Sequence, residues 1–391
     1  MRNVIRTWCR QLPFFRKALL VVSCLGILFH CLPCAAEEEP DEMTVKLDEI
    51  RKEHGLPALA AAAVRHGKLV INVASGVRKL GSDEPVTTDD QWHLGSCTKS
   101  MTAMLAGMLV DEGRISWHST LAEIYPELKD SMTPAWRSVT LEQLLTHHGG
   151  APAHPPADVW ATALEQKGTP MEQRQAMVCG IVCKPSDEPH GKKFVYSDIG
   201  YGIAGAMLER VTGESWENMI RERIFEPLGM TSAGFGAPAT PGKIDQPWGH
   251  LGEIGELRPV PPGPSADNPP AIGPAATVHA SLADFARYAD WHSDWKRAEP
   301  RLLTEETYNR LHRPPPGQQD YAMGWLLDDR DWAGGNVLWH AGSNAMFYAV
   351  MWVAPEREAT FVAATNAAYS EASDGCNDAI IALIRRVLGK Y

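Results

Sequence analysis

Positive charge is scarce in this chain: 37 Lys and Arg stand against 48 Asp and Glu, for a net charge of −11. A chain this acidic, with no basic patch, does not suit nucleic-acid binding. Cysteine is sparse and unevenly placed. Of the eight, Cys9, Cys24, Cys31 and Cys34 fall in the first 36 residues, leaving Cys97, Cys179, Cys183 and Cys376. That is no disulfide framework, although Cys179 and Cys183 are close enough to form either a bridge or two free thiols. Two hydrolase signatures are missing. Leu94 and Thr98 occupy the glycine positions of a Gly-x-Ser-x-Gly elbow around Ser96. There is no His-Glu-x-x-His, and His147, His148 and His154 lack ligand spacing with carboxylate support, so neither a metal nor another cofactor is expected. No internal repeat is present.

Acidic residues are absent from residues 1–36, which carry Arg2, Arg6, Arg10, Arg16 and Lys17. An apolar run from Ala18 to Leu32 follows, about 15 residues long and short for a membrane-spanning helix. Cys34-Ala35-Ala36 then precedes Glu37. Basic, apolar and small residues in that order predict a secretory signal peptide over 1–36, cleaved near Ala36, and a periplasmic or secreted protein. A retained anchor is the alternative, and the only route to a membrane. Lipid attachment at Cys34 is disfavoured by Pro33. Cleavage leaves 32 basic against 48 acidic residues, a net of −16. Residues 37–42 read as an acidic leader and 43–391 as one large domain.

The chain is organised around Trp92-His93-Leu94-Gly95-Ser96-Cys97-Thr98-Lys99. Thr98 to Glu112 is rich in Ala, Leu and Met, with no Pro, and predicts a buried helix. Ser96 and Lys99 share a face at its start. A serine hydroxyl needs a neighbour to take its proton, and a buried lysine one turn away can do so if it is held neutral. Cys97 points elsewhere and reads as a small buried filler. A second Ser-x-x-Lys, Ser293 to Lys296, lies in a polar stretch with Arg297, Glu299 and Pro300 and reads as a surface pair.

Leu59–Val64 and Lys68–Ser75 predict a hairpin across Arg65-His66-Gly67. A long, mostly helical middle follows, about 110–280, including a helix from Tyr201 to Thr212 capped by Gly213. Tyr321–Leu327, Val337–His340, Phe347–Val353 and Thr360–Thr365 read as strands, and Asp374–Leu388 as a closing helix. The fold class is therefore α+β: an antiparallel sheet built from both chain ends, flanked by helices, with an inserted helical lobe and a cleft at the seam. The Pro-rich stretch 259–274 and residues 147–160 are expected to wall that cleft.

Two further stretches can carry chemistry. In Tyr196-Ser197-Asp198 the tyrosine can relay protons if a cation is near. In His340-Ala341-Gly342-Ser343 the glycine lets a ligand approach the backbone, and the Ser343 N–H can join that of Ser96 as an oxyanion hole.

These three elements, in this order, resemble the motifs of the serine β-lactamase-like superfamily: Ser-x-x-Lys, Tyr-x-Asn, and Lys-or-His-x-Gly on a strand. The branch most similar groups class C β-lactamases, D-alanyl-D-alanine carboxypeptidases, D-aminopeptidases and esterases. The resemblance spans about residues 43–390 and includes Leu144-Leu145-Thr146-His147, Pro227-Leu228-Gly229-Met230 and Leu282-Ala283-Asp284-Phe285-Ala286. It implies that Ser96 forms the acyl-enzyme, Lys99 is its general base, Tyr196 moves the proton to the leaving group, and the Ser96 and Ser343 N–H groups bind the oxyanion. Two positions depart from the β-lactamase form. Asp198 stands where the family has Asn, and an ionised Asp accepts hydrogen bonds only and favours a charged Lys99. His340 replaces a lysine and carries little charge near neutral pH. Both favour a small ester, amide or cell-wall peptide over a β-lactam as substrate. The alternatives are a sensor that binds penicillin or cell-wall peptide without turnover, or a weak β-lactamase.

Overall fold

The structure is a computed structural model that describes residues 41–186, 190–318 and 320–389. The expected signal peptide and all but the end of the acidic leader lie outside the described residues.

Asp41 caps α1 (Glu42–Glu53) through its side chain. β1 (Ala58–Arg65) and β2 (Lys68–Gly76) then pair through the two-residue turn His66-Gly67, with Arg65 opposite Lys68. Both turn residues have positive φ, 51° and 71°, which matches the twist of a tight hairpin. After α2 (Thr98–Asp111), α3 (Asp198–Thr212) and α4 (Leu282–Trp291), the chain returns as β3 (Leu326–Arg330), β4 (Gly335–Ser343), β5 (Tyr348–Ala354) and β6 (Ala359–Thr365). It closes with α5 (Ser370–Leu388). The sheet order is β2-β1-β6-β5-β4-β3, antiparallel throughout, so strands from the two chain ends meet at β1 and β6.

β1 shows why the sheet is covered on both faces. Leu59, Ala61 and Ala63 pack with Leu47 of α1 and with Ala379 and Leu383 of α5. The alternate residues Ala58, Ala60 and Ala62 join the larger core with α2 and α4. Between β2 and β3 the chain forms the expected helical body, including 157–164 and 170–182, and one small three-stranded sheet of residues 91–93, 278–281 and 234–235.

Some details differ from expectation. α3 begins at Asp198 rather than Tyr201, because the Ser197 hydroxyl accepts the Gly200 N–H and caps the helix three residues earlier. β3 starts at Leu326, not Tyr321. The chain turns at Gly324 (φ 77°), whose α-carbon packs against the Ser100 backbone of α2, and this diverts Tyr321 into the site instead of the sheet. Ser293 is buried rather than exposed, and its hydroxyl contacts Arg297 at 3.1 Å. Cys179 and Cys183 are both free thiols.

Candidate active site

A short 3₁₀ turn, Gly95–Cys97, leads directly into α2 and puts Ser96 at the helix start. The turn is pressed against the end of β4. A β-carbon on Gly95 would overlap the Ser343 nitrogen, and one on Gly342 would overlap the Leu94 oxygen and the Ser96 nitrogen. The sequence reading expected a ligand to approach Gly342. Instead, the serine's own loop occupies that space, and the Ser96 and Ser343 backbones are brought side by side.

Lys99 is fully buried, and its ammonium has three acceptors. Nζ lies 3.0 Å from Ser96 Oγ, 2.5 Å from Asp198 Oδ1 and 3.2 Å from the Ala275 carbonyl, which together match the three protons of the charged form. Burial opposes the charge on Lys99. The Asp198 carboxylate and Tyr196 outweigh it and hold the ammonium above its ordinary pKa. The Tyr196 ring centroid is 4.7 Å from Nζ, and the side chain is part-exposed.

His340 is buried on β4, 6.4 Å from Tyr196 between ring centroids. Its Nδ1 donates to the Ala341 carbonyl at 2.6 Å, while Nε2 has no partner among the described residues. Burial first, then the Lys99 charge, push it down to about 4, against weaker upward pulls from Ala341 and Asp198. It is a neutral imidazole at pH 7. Cys97 is fully buried and its thiol is pushed up by burial, consistent with a filler.

The structure gives His147, Tyr201 and Tyr321 contacts that the sequence does not specify. His147, which has a positive φ of 62°, accepts the Ser197 N–H on Nδ1 at 3.1 Å and so presents Nε2–H to the Tyr321 hydroxyl at 3.1 Å. Its ring lies 4.4 Å from Tyr196, and its carbonyl accepts the Val195 N–H. Residues 195–197, which carry Tyr196, are thus moored by one histidine. Tyr201 donates to the Leu145 carbonyl behind them. The Pro-rich stretch, expected to wall the cleft, also packs on α2, where the Pro274 carbonyl accepts the Thr102 hydroxyl, and Arg174 grips the Pro270 carbonyl. The only sequence signal was the clustering of His, Tyr and Pro near the motifs, which does not say what they touch.

Solved structures identify the scaffold. An octameric penicillin-binding protein homologue from Pyrococcus abyssi aligns with a TM-score of 0.72 at 22% identity, over 89% of this chain and 77% of that one. A D-stereospecific amidohydrolase from Streptomyces sp. aligns at 0.67 and 20%, over 88% and 98%. The fold is that of the β-lactamase/transpeptidase-like proteins. The chain belongs to the Beta-lactamase family, whose model matches residues 43–385. Among curated relatives, penicillin-binding protein 4 of Amycolatopsis lactamdurans is 29% identical over 79% of this chain and 81% of its own length. The lovastatin esterase of Penicillium rubens is 32% identical over 46% of this chain and 48% of its own. The chain thus spans most of the first relative but about half of the second.

Proposed function

We propose that the protein is an exported serine hydrolase that forms an acyl-enzyme on Ser96 and acts on esters or amides, D-amino-acid peptides among them. The observation that carries this is the fully buried Lys99, with Nζ 3.0 Å from Ser96 Oγ and 2.5 Å from Asp198. A buried lysine paired with one carboxylate and pointed at an otherwise ordinary serine is an arrangement for activating that serine.

In this reading Ser96 Oγ bonds to the substrate carbonyl carbon, and the oxyanion so formed is held by the Ser96 and Ser343 N–H groups. Lys99 stays protonated and steadies Oγ. Tyr196 acts in its phenolate form beside the Lys99 ammonium: it takes the hydroxyl proton and returns it to the leaving alcohol or amine as the carbonyl bond to that group breaks. Water then attacks the acyl-enzyme, gives its proton to Tyr196, and Ser96 recovers it on release. The neutral His340 offers no fixed charge for a substrate carboxylate, which favours uncharged esters and amides over β-lactams. Relatives described as an esterase and an amidohydrolase agree in reaction class.

Ser96→Ala tests the assignment. Hydrolysis of p-nitrophenyl acetate should fall by several decades, while Ser293→Ala keeps the wild-type rate. Full activity in the Ser96 variant would remove the basis of the reading. A penicillin adduct without turnover would favour the sensor. Export is tested by sequencing the N-terminus of secreted protein. It should begin near Glu37, and a chain still carrying Arg2 to Lys17 would indicate an anchor.

A further inference from the structure

Two backbone arms meet at the proposed oxyanion hole: the loop carrying Ser96 and the end of β4 carrying Ser343. Each is braced from behind by a side chain. On the first arm, His93 is fully buried and its Nδ1 accepts the Gly95 N–H at 3.1 Å, fixing the turn one peptide before Ser96. Nδ1 therefore carries no proton, and the ring proton sits on Nε2. On the second arm, Asn344 Oδ1 accepts the N–H groups of Met346 and Phe347, at 3.1 and 3.0 Å, and shapes the turn that follows Ser343.

Both braces end on one carboxylate. Asp267 Oδ1 lies 2.7 Å from His93 Nε2 and 3.4 Å from Asn344 Nδ2, and it also accepts the Asn268 N–H at 2.6 Å. The His93 contact is short but bent, with Oδ1 facing the ring nitrogen that carries the proton. The Asp267 side chain is 7% exposed, and its other oxygen has no hydrogen-bond partner among the described residues. Asp267 borders a cavity of about 330 Å³ shared with Phe235, Pro264 and Asn268, so a smaller side chain there has room to relax.

We propose that Asp267 is a positioning residue for the oxyanion hole. It fixes the His93 tautomer that accepts the Gly95 N–H and ties that loop to the Asn344 turn, so that the Ser96 and Ser343 N–H groups keep one spacing. The proposal rests on the functional reading above, because it concerns the transition state of that reaction. It accounts for a buried histidine and a buried aspartate, 174 positions apart, that no step of the reaction uses.

The test compares wild type with Asp267→Ala, Asp267→Ser and Asp267→Asn. For each, kcat and KM on p-nitrophenyl acetate, the dissociation constant of phenylboronic acid, and Tm are measured. A boronate on Ser96 places a tetrahedral oxygen in the hole and so reads its geometry without turnover. A displaced donor lowers kcat by about 10–100-fold, within the range for losing an oxyanion contact. The Ala and Ser variants should show that loss with KM within about twofold, and boronate affinity should fall in step with kcat. Asn keeps an acceptor oxygen at the same reach and should recover most of both. If Asp267→Ala fails to fold, Asp267→Ser carries the test, since it stays polar but is too short to reach Nε2. The proposal is overturned by wild-type kcat in the Ala and Ser variants, by a kcat loss that boronate affinity does not follow, or by no recovery with Asn. A wild-type protein that neither hydrolyses the ester nor binds the boronate would refute the functional reading itself, a separate outcome.

Discussion

Lys99 has no idle proton. Its three acceptors, Ser96 Oγ, Asp198 and the Ala275 carbonyl, stabilise the ammonium, and the Asp198 charge helps overcome a burial penalty that would otherwise favour the neutral amine. An asparagine at 198 would donate or accept without charge, and burial would then dominate. Asp198→Asn should therefore lower the Lys99 pKa and shift the rate-limiting basic limb of kcat/KM to lower pH, with faster acylation by penicillins. A pH–rate profile on p-nitrophenyl acetate reads the shift. A fall of roughly two to four decades with no shift would instead make Asp198 a proton carrier. A profile and a rate both unchanged would mean that Asp198 has no part in the reaction. His340, held down to about 4, should add no inflection between pH 5 and 8.

At the scale of elements, the site depends on how closely one loop approaches one strand. The 3₁₀ turn and β4 are separated by no side chain, because Gly95 and Gly342 face each other. Gly342→Ala should force the strand off the serine loop, lowering ester hydrolysis by at least about 100-fold while α2 and the Lys99 environment remain. Circular dichroism alongside the assay separates this from unfolding, and near-wild-type activity would contradict the close approach. The Ser96–Lys99 pair was legible in the sequence because it is local: three positions on an apolar helix fix its geometry. Tyr196, Asp198 and His340 were legible only as a joint pattern. The apolar spacing of 321–327 suited a strand, but packing of Gly324 on Ser100 overrode it. The Ser197 cap extended α3 past the point where its apolar pattern begins. The contacts of His93 with Asp267, and of His147 with Tyr321, join positions 174 residues apart, and nothing local encodes them.

For the whole molecule, the sheet joins strands from both chain ends, as their grouping in the sequence suggested, while the order of the strands was not legible there. The charge balance did not reveal how the histidines are used. Burial, the leading cause in each case, pushes down His147, His250, His279, His292, His312 and His340. His250, His279 and His340 are held at about 4 and His312 at about 3. Each ring is near 6.5 in the unfolded chain, so between that value and 4 unfolding takes up protons that the folded state refuses. Stability is therefore full above pH 6.5 and is lost as pH falls towards 4, by up to about 1.4 kcal/mol per pH unit for each such histidine. Thermal unfolding should show a clearly lower Tm at pH 5 than at pH 7. A Tm that stays level or rises over that interval would contradict the buried, neutral state of these rings.

The central claim is that Ser96 is the nucleophile. Intact-mass analysis after treatment with a fluorophosphonate, followed by peptide mapping, tests it most directly. The account predicts one phosphonyl adduct per chain, carried by Ser96 and absent from Ser96→Ala. An adduct on any other residue, or one that persists in Ser96→Ala, would contradict it.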